Sequence, residues 1–203
     1  DYAVVNSDMI ENYPFTITVW VRTVLPDTAN RRIVELATRE GQSSAYSIFI
    51  SYGDPCLGAV SPTTPWISKS SLVNINNGQW HHLAAVFSGA TDKQLYVDGV
   101  LRATMTEDIP FSTEVNSITV GRDGDSNPNP DRYFQGDLDD VRLYGRILSA
   151  AEIRALATPP TPIPTATRTP TPTRTSTATR SPSPGGTYTS TWVPTSTLTA
   201  TPS

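Results

Sequence analysis

Apolar and polar residues alternate in short runs along the first three quarters of the chain, and "FTITVWVRT" shows the pattern most plainly. Phe15, Ile17, Val19 and Val21 fall on one side, with Thr16, Thr18, Trp20 and Arg22 on the other. A period of two over eight or nine residues predicts a half-buried strand. "RRIVELAT", "AYSIFISYG", "HHLAAVFSG", "KQLYVDG", "VLRATMT", "NSITVGR" and "DLDDVRLYG" repeat the theme, rich in β-branched and aromatic residues and bounded by Gly, Asn, Asp or Pro. Asp98-Gly99, between "KQLYV" and "VLRAT", predicts a two-residue hairpin, because a type I′ turn needs positive φ at both central positions. One helix is expected, in "LSAAEIRAL". There Ser149 and Glu152 have capping-box spacing, and Ile153 with Leu156 forms a small apolar face set to close one end of the molecule. About eight strands with regular turns and one short helix predict an all-β, two-sheet antiparallel jelly-roll sandwich.

Composition changes the picture only after residue 157. Threonine, serine and proline supply 33 of the last 46 residues, too little apolar area to offset the entropy of ordering a packed backbone. The chain therefore divides into a domain at 1–157, long enough for a core, and an extended Thr/Ser/Pro-rich tail at 158–203. The net charge of −4, with no basic cluster in the domain, gives no electrostatic footprint for nucleic acid or an anionic membrane. No apolar run reaches the roughly 20 residues of a membrane span. Cys56 is the single cysteine, which excludes an internal disulfide and a cysteine zinc cluster.

Within the domain, "FTITVWVRT", "NNGQWHHLAAVFSG", "KQLYVDGVLRAT", "ITVGRD" and "FQGDLDDVRLYGRILSAAEIRAL" stand in an order and spacing that resemble the laminin-G-like, concanavalin-A-like jelly-roll family. The resemblance covers most of residues 1–157. It implies two curved antiparallel sheets and a non-catalytic module, often extracellular and often a binder of sugar or protein. It also implies a further strand ahead of "DYAVV", so that one sheet is expected to lack its first strand and to expose unpaired backbone groups.

Candidate chemistry is sparse. His81 and His82 are adjacent in a strand, so their side chains point to opposite faces and cannot readily chelate one ion. The Glu-x-Asp-x-Glu strand motif of β-glucan hydrolases on this kind of fold is missing, and no Ser/His/Asp set is suggested. Asp139 shares parity with Val141 and Leu143, so a core-facing carboxylate is expected there, which needs a partner or a cation. The resemblance implies a structural calcium at that aspartate, and a carboxylate held by backbone N–H groups is the alternative. "RDGDSNPNPD" offers Asp123, Asp125, Asn127, Asn129 and Asp131, without the spacing of a known calcium loop. For sugar binding, Trp66, in an expected loop between prolines and polar residues, is the expected exposed aromatic, with Tyr46, Tyr52 and Tyr133 behind it. Trp20 and Trp80 are expected to be packing residues.

The tail has its own alternation. Thr165, Thr167, Thr169, Thr171, Thr173, Thr175, Thr177 and Thr179 occupy consecutive odd positions, and every proline from Pro162 to Pro202 is even-numbered. Successive residues of a strand direct their N–H and C=O groups to opposite sides, so one edge of such a segment is free of proline and able to pair. Two readings follow. The tail is a polyproline-II-like spacer O-glycosylated on those threonines, or it adds a strand to a neighbouring copy by β-augmentation. For the second reading Thr187, Tyr188, Thr189, Ser190, Thr191, Trp192 and Val193 form the most strand-like donor. Its 46 residues reach about 150 Å when extended, enough to make a homopolymer. The expected protein is thus a secreted or cell-surface structural or adhesive subunit, partnered by copies of itself. The alternative is a carbohydrate-binding module on a glycosylated stalk.

Overall fold

The computed structural model describes residues 2–6, 10–24, 30–38, 44–124 and 132–158. The tail threonines 165–179 and the donor segment 187–193 lie outside them, as do positions 125, 127, 129 and 131.

The described residues form two antiparallel sheets. Six strands run in the order β1 (Ala3–Asn6), β10 (Ser117–Val120), β3 (Arg31–Ala37), β4 (Ala45–Ser51), β5 (Asp54–Ser61) and β6 (Thr64–Ser70). Five follow the order β11 (Asp137–Tyr144), β2 (Phe15–Arg22), β7 (Trp80–Gly89), β8 (Asp92–Val97) and β9 (Val100–Met105). This is the expected all-β jelly-roll sandwich, and the non-sequential strand orders are what make it one. No helix among the described residues is long and apolar enough to cross a membrane.

Alternation builds the core. Phe15, Ile17, Val19 and Val21 of β2 all face inward and are buried, as are Leu83, Ala85 and Phe87 of β7. Those strands pair without a break from Phe15 opposite Phe87 to Arg22 opposite Trp80. Phe15 and Phe87 stack at 4.5 Å, and Tyr46 meets both edge-on at 5.6 and 5.5 Å. Such pairs add roughly 0.5–1.5 kcal/mol each beyond the area they bury. Tyr46 is therefore a core residue and not a ligand contact. Its hydroxyl donates to the Pro110 carbonyl (3.2 Å) and accepts the Ser112 N–H (3.3 Å), which satisfies a polar atom taken out of water. Lys93 is also fully buried, its ammonium donating to the carbonyls of Ala90 and Glu107. Burial pushes its pKa down.

The β8–β9 turn has the expected geometry, with φ of +51° at Asp98 and +74° at Gly99. The Asp98 carboxylate accepts the His82 N–H at 2.9 Å and meets His81 Nδ1 at 2.8 Å, so the turn is tied to β7. A second hairpin of the same kind, with positive φ at Tyr52 and Gly53, joins β4 to β5.

Two expectations need correction. Helix α1 (Ala150–Leu156) has the predicted capping box, with Glu152 Oε2 accepting the Ser149 N–H at 2.8 Å and Ser149 Oγ accepting the Glu152 N–H at 3.3 Å. It does not close an end of the sandwich. Ile153 and Leu148 pack on Ala84, Val86 and Tyr96, residues that strict alternation places on the outer face of the five-stranded sheet. Thr16 fastens this cover: its hydroxyl donates to the Arg146 carbonyl at 2.8 Å and accepts the Leu148 N–H at 3.1 Å.

The second correction concerns β11. Its pairing to β2 shifts between Asp139 and Arg142, and Asp140 sits at φ +49°. A bulge of this kind flips parity. Leu138 and Leu143 both pack against the core, whereas Val141 is 39 % exposed and Asp139 is exposed too. Among the described residues the Asp139 carboxylate accepts only its neighbour's N–H, that of Asp140, at 2.7 Å. The premise of a buried carboxylate calling for calcium fails, because the parity count ran through an irregular position.

Candidate functional site

The outer face of the six-stranded sheet is built from the residues that alternation turns away from the core. From β3 come Arg32 and Glu35, from β4 Ser47, Phe49 and Ser51, from β5 Asp54, Cys56 and Gly58, and from β6 Trp66, Ser68 and Ser70. The registers Arg32 opposite Phe49, Phe49 opposite Cys56, and Cys56 opposite Ser70 lay them in rows across four strands. A cleft of about 650 Å³ opens on this face, bordered also by Asn30, Tyr52, Val60 and Arg132.

An aromatic–cation cluster forms its floor. The Arg32 guanidinium lies 4.5 Å from the centre of the Trp66 ring and 4.8 Å from that of Phe49, and the two rings stand 5.8 Å apart. Cation–π contacts of this geometry are worth about 0.5–2 kcal/mol, most where water is excluded. Arg32 is nearly buried, and Glu35 Oε2 stands 2.9 Å from its Nε. The angle is poor for a hydrogen bond, so charge holds the contact. Glu35 Oε1 accepts the Gly124 N–H at 3.0 Å, pinning the segment after β10 against the sheet.

Gly58 makes room for Trp66. A Cβ at Gly58 would come within 2.3 and 2.6 Å of the Trp66 ring, so only glycine lets the indole lie against the strand. Trp66 is 38 % exposed. It is the exposed aromatic the sequence indicates, but it stands on an edge strand and not in a loop, since Pro65 is tolerated where a strand has a free side.

Polar groups surround this floor. Asp54 Oδ2 accepts the Ser70 hydroxyl at 3.2 Å. Arg132 reaches the fully buried Asp123 carboxylate at 2.9 Å. Tyr52, 69 % exposed in its left-handed turn, stands at the rim. Cys56 lies in the floor, where burial pushes its thiol up to about 11. It stays protonated and a poor nucleophile at neutral pH.

The remaining candidates disperse. Tyr133 is half-buried against Tyr2 (5.9 Å). Its carbonyl accepts from Arg31 at 3.2 Å and its backbone bridges Arg32, so it braces the cleft without lining it. Trp80 is as exposed as Trp66, at 39 %, on the outer face of the five-stranded sheet, with Arg22 5.0 Å above its ring and Asp137 2.8 Å from Arg22. It is therefore only partly the packing residue expected. His81 and His82 do point to opposite faces. His82 is buried and edge-on to Trp20 at 5.4 Å, and burial pushes its pKa down to about 4. Among the described residues no three His, Cys, Asp or Glu side chains gather as a metal would require.

Sequence reasoning missed Arg32, Phe49 and Gly58. The Tyr52-Gly53 turn, followed after Asp54 by seven residues of small and apolar side chains, was the available signal.

Comparison with known proteins is consistent with this architecture. No curated protein sequence matches the chain. Among solved structures, domain 4 of AbnA, a GH43 extracellular arabinanase from Geobacillus stearothermophilus solved with arabinotriose, superposes with a TM-score of 0.62 at 21 % identity, over 76 % of this chain and 71 % of that one. The binding domain of Paraclostridial Mosquitocidal Protein 1 gives 0.59 at 16 % identity, over 77 % of this chain and 40 % of that one. A CBM40 of the Ruminococcus gnavus IT-sialidase, bound to α2,3-sialyllactose, gives 0.58 at 15 % identity, over 72 % and 84 %. At such identities these likenesses establish the fold. The family model described as the concanavalin A-like lectin/glucanases superfamily matches residues 1–154, most of the chain, which thus belongs to that family.

Proposed function

We propose that residues 1–157 form a non-catalytic carbohydrate-binding module of an extracellular or cell-surface protein, and that the cleft on the six-stranded sheet holds the glycan. One observation carries this reading: a half-exposed indole, fixed by Arg32, Phe49 and Gly58, stands among hydroxyl and carboxylate groups in an open cleft. An apolar sugar face packs on an aromatic ring while its hydroxyls bond to the polar rim, the division of labour expected of small-molecule sites. The arabinotriose and sialyllactose in two of the similar structures support a sugar as the ligand class.

Binding without turnover fits the carboxylates. Glu35 and Asp123 are engaged by Arg32 and Arg132, which among the described residues leaves Asp54 as the carboxylate lining the cleft. Glycoside hydrolysis ordinarily uses two.

Retention on a panel of immobilised neutral and acidic glycans tests the proposal. Full-length protein should be retained by at least one glycan and Trp66→Ala should lose that retention by about tenfold or more, in protein that still unfolds cooperatively at a modestly lower melting temperature. Retention unaffected by Trp66→Ala would place the binding elsewhere.

A further inference from the structure

Two guanidiniums and one free-standing carboxylate at the cleft raise the question of which charge its ligand carries. A count of side chains favours an anion. The contacts reverse that reading, because each guanidinium already has its own buried counter-charge: Glu35 at 2.9 Å from Arg32, and Asp123 at 2.9 Å from Arg132. Glu35 and Asp123 are almost wholly removed from water, so neither can swing out and release its arginine without stranding a buried charge. Arg32 also lies against both the Trp66 and the Phe49 ring.

Asp54 is differently placed. It lines the cleft at the start of β5, is only half-buried, and is held by the Ser70 hydroxyl, with no cationic side chain within ion-pair distance among the described residues. Among the described residues the cleft surface therefore carries one uncompensated negative charge beside two balanced positive ones.

We infer that the cleft selects neutral polyhydroxyl ligands and rejects glycans carrying a carboxylate or sulfate where they meet Asp54. This rests on the glycan reading above and names the class within it. A neutral sugar donates hydroxyl hydrogens to the Asp54 carboxylate, a charge-assisted bond about twice as strong as a neutral one. An acidic sugar brings a like charge to the same place, and meets two guanidiniums whose charge a buried carboxylate already balances. Asp54 is thus the specificity-determining residue and Trp66 the anchor.

The test compares ligands that differ only at their primary alcohol carbons. The tightest neutral oligosaccharide from the panel, and the same oligosaccharide with its primary hydroxyls oxidised to carboxylates, are titrated calorimetrically into the full chain and into Asp54→Asn. The neutral form should bind the natural chain about tenfold or more tightly than its oxidised counterpart, and Asp54→Asn should weaken neutral binding and bring that ratio towards one. Equal or tighter binding of the oxidised form by the natural chain overturns the inference, whatever the variant does. So does a naturally acidic glycan that outcompetes every neutral one on the panel. If either result comes with Trp66→Ala still abolishing retention, the cleft remains the glycan site and only its neutrality is wrong. If no glycan is retained at all, both readings fall together.

Discussion

The two sheets of the sandwich expose outer faces of opposite character, although the same two-residue alternation generates both. On the five-stranded sheet the outward residues Ala84, Val86 and Tyr96 are apolar, and Leu148 and Ile153 of the following segment cover them. On the six-stranded sheet the outward residues include serines, a glycine and charged pairs, with a cleft above them. One face is a second small core and the other an open cleft. The contrast suggests that stability and recognition are lodged on opposite sides of the shared interior, and can be perturbed separately.

The strongest way to break that separation is to strip the covered face. Ile153→Ala should cost about 2–5 kcal/mol, read as a lower midpoint in urea, while glycan retention by the folded fraction stays unchanged; a loss of affinity in folded protein would show the faces to be coupled. Acid probes the same side. His82 is held neutral by burial, with a pKa of about 4 against an ordinary 6.5. The unfolded chain therefore takes up the proton first as pH falls, and stability is lost progressively below pH 6.5 and levels off below pH 4. The loss should amount to about 3 kcal/mol by pH 4, and urea titrations of His82→Gln at pH 7 and 4 should show a smaller drop.

Gly58→Ala reverses the pattern. Its methyl collides with the Trp66 ring, so the indole must leave its seat at a cost of about 1–3 kcal/mol, and retention should fall as far as in Trp66→Ala. The smallest effect is expected at Ser149→Ala, which removes one side of the capping box for about 1 kcal/mol. It should lower the melting temperature slightly and leave the cleft untouched.

Much of this was legible in the chain because periodicity and turn chemistry agree there. β2, β7 and the Asp98-Gly99 hairpin have clean alternation and a turn that only particular residues adopt, and the helix start is written in Ser149 and Glu152. The cleft was far less legible. Pro55, Gly58 and Pro65 lower the strand signal of β5 and β6, though an edge strand accepts proline and Gly58 is there for the indole. Tyr46 and Phe49 sit three apart in one aromatic strand, and the turn that fixes which of them faces inward is Tyr52-Gly53, a pair less diagnostic than Asp-Gly. At β11 the left-handed Asp140 inserts a residue that parity counting cannot see. The Arg32–Glu35 and Arg132–Asp123 pairs join positions whose proximity depends on the register of several strands, information held in no single segment.

Thr16, with its two hydrogen bonds to the segment ahead of α1, also fixes where force enters the domain. Through Leu148, Ile153 and the helix cap it binds residues 144–158 to the layer opposite the cleft, up to Thr158, whose hydroxyl donates to the Arg154 carbonyl at 3.1 Å. A pull between the cleft at Trp66 and the chain at Thr158 therefore crosses both sheets. It loads the stacked rings of Phe15 and Phe87 and the layers around them together, and peels no single hairpin from its edge.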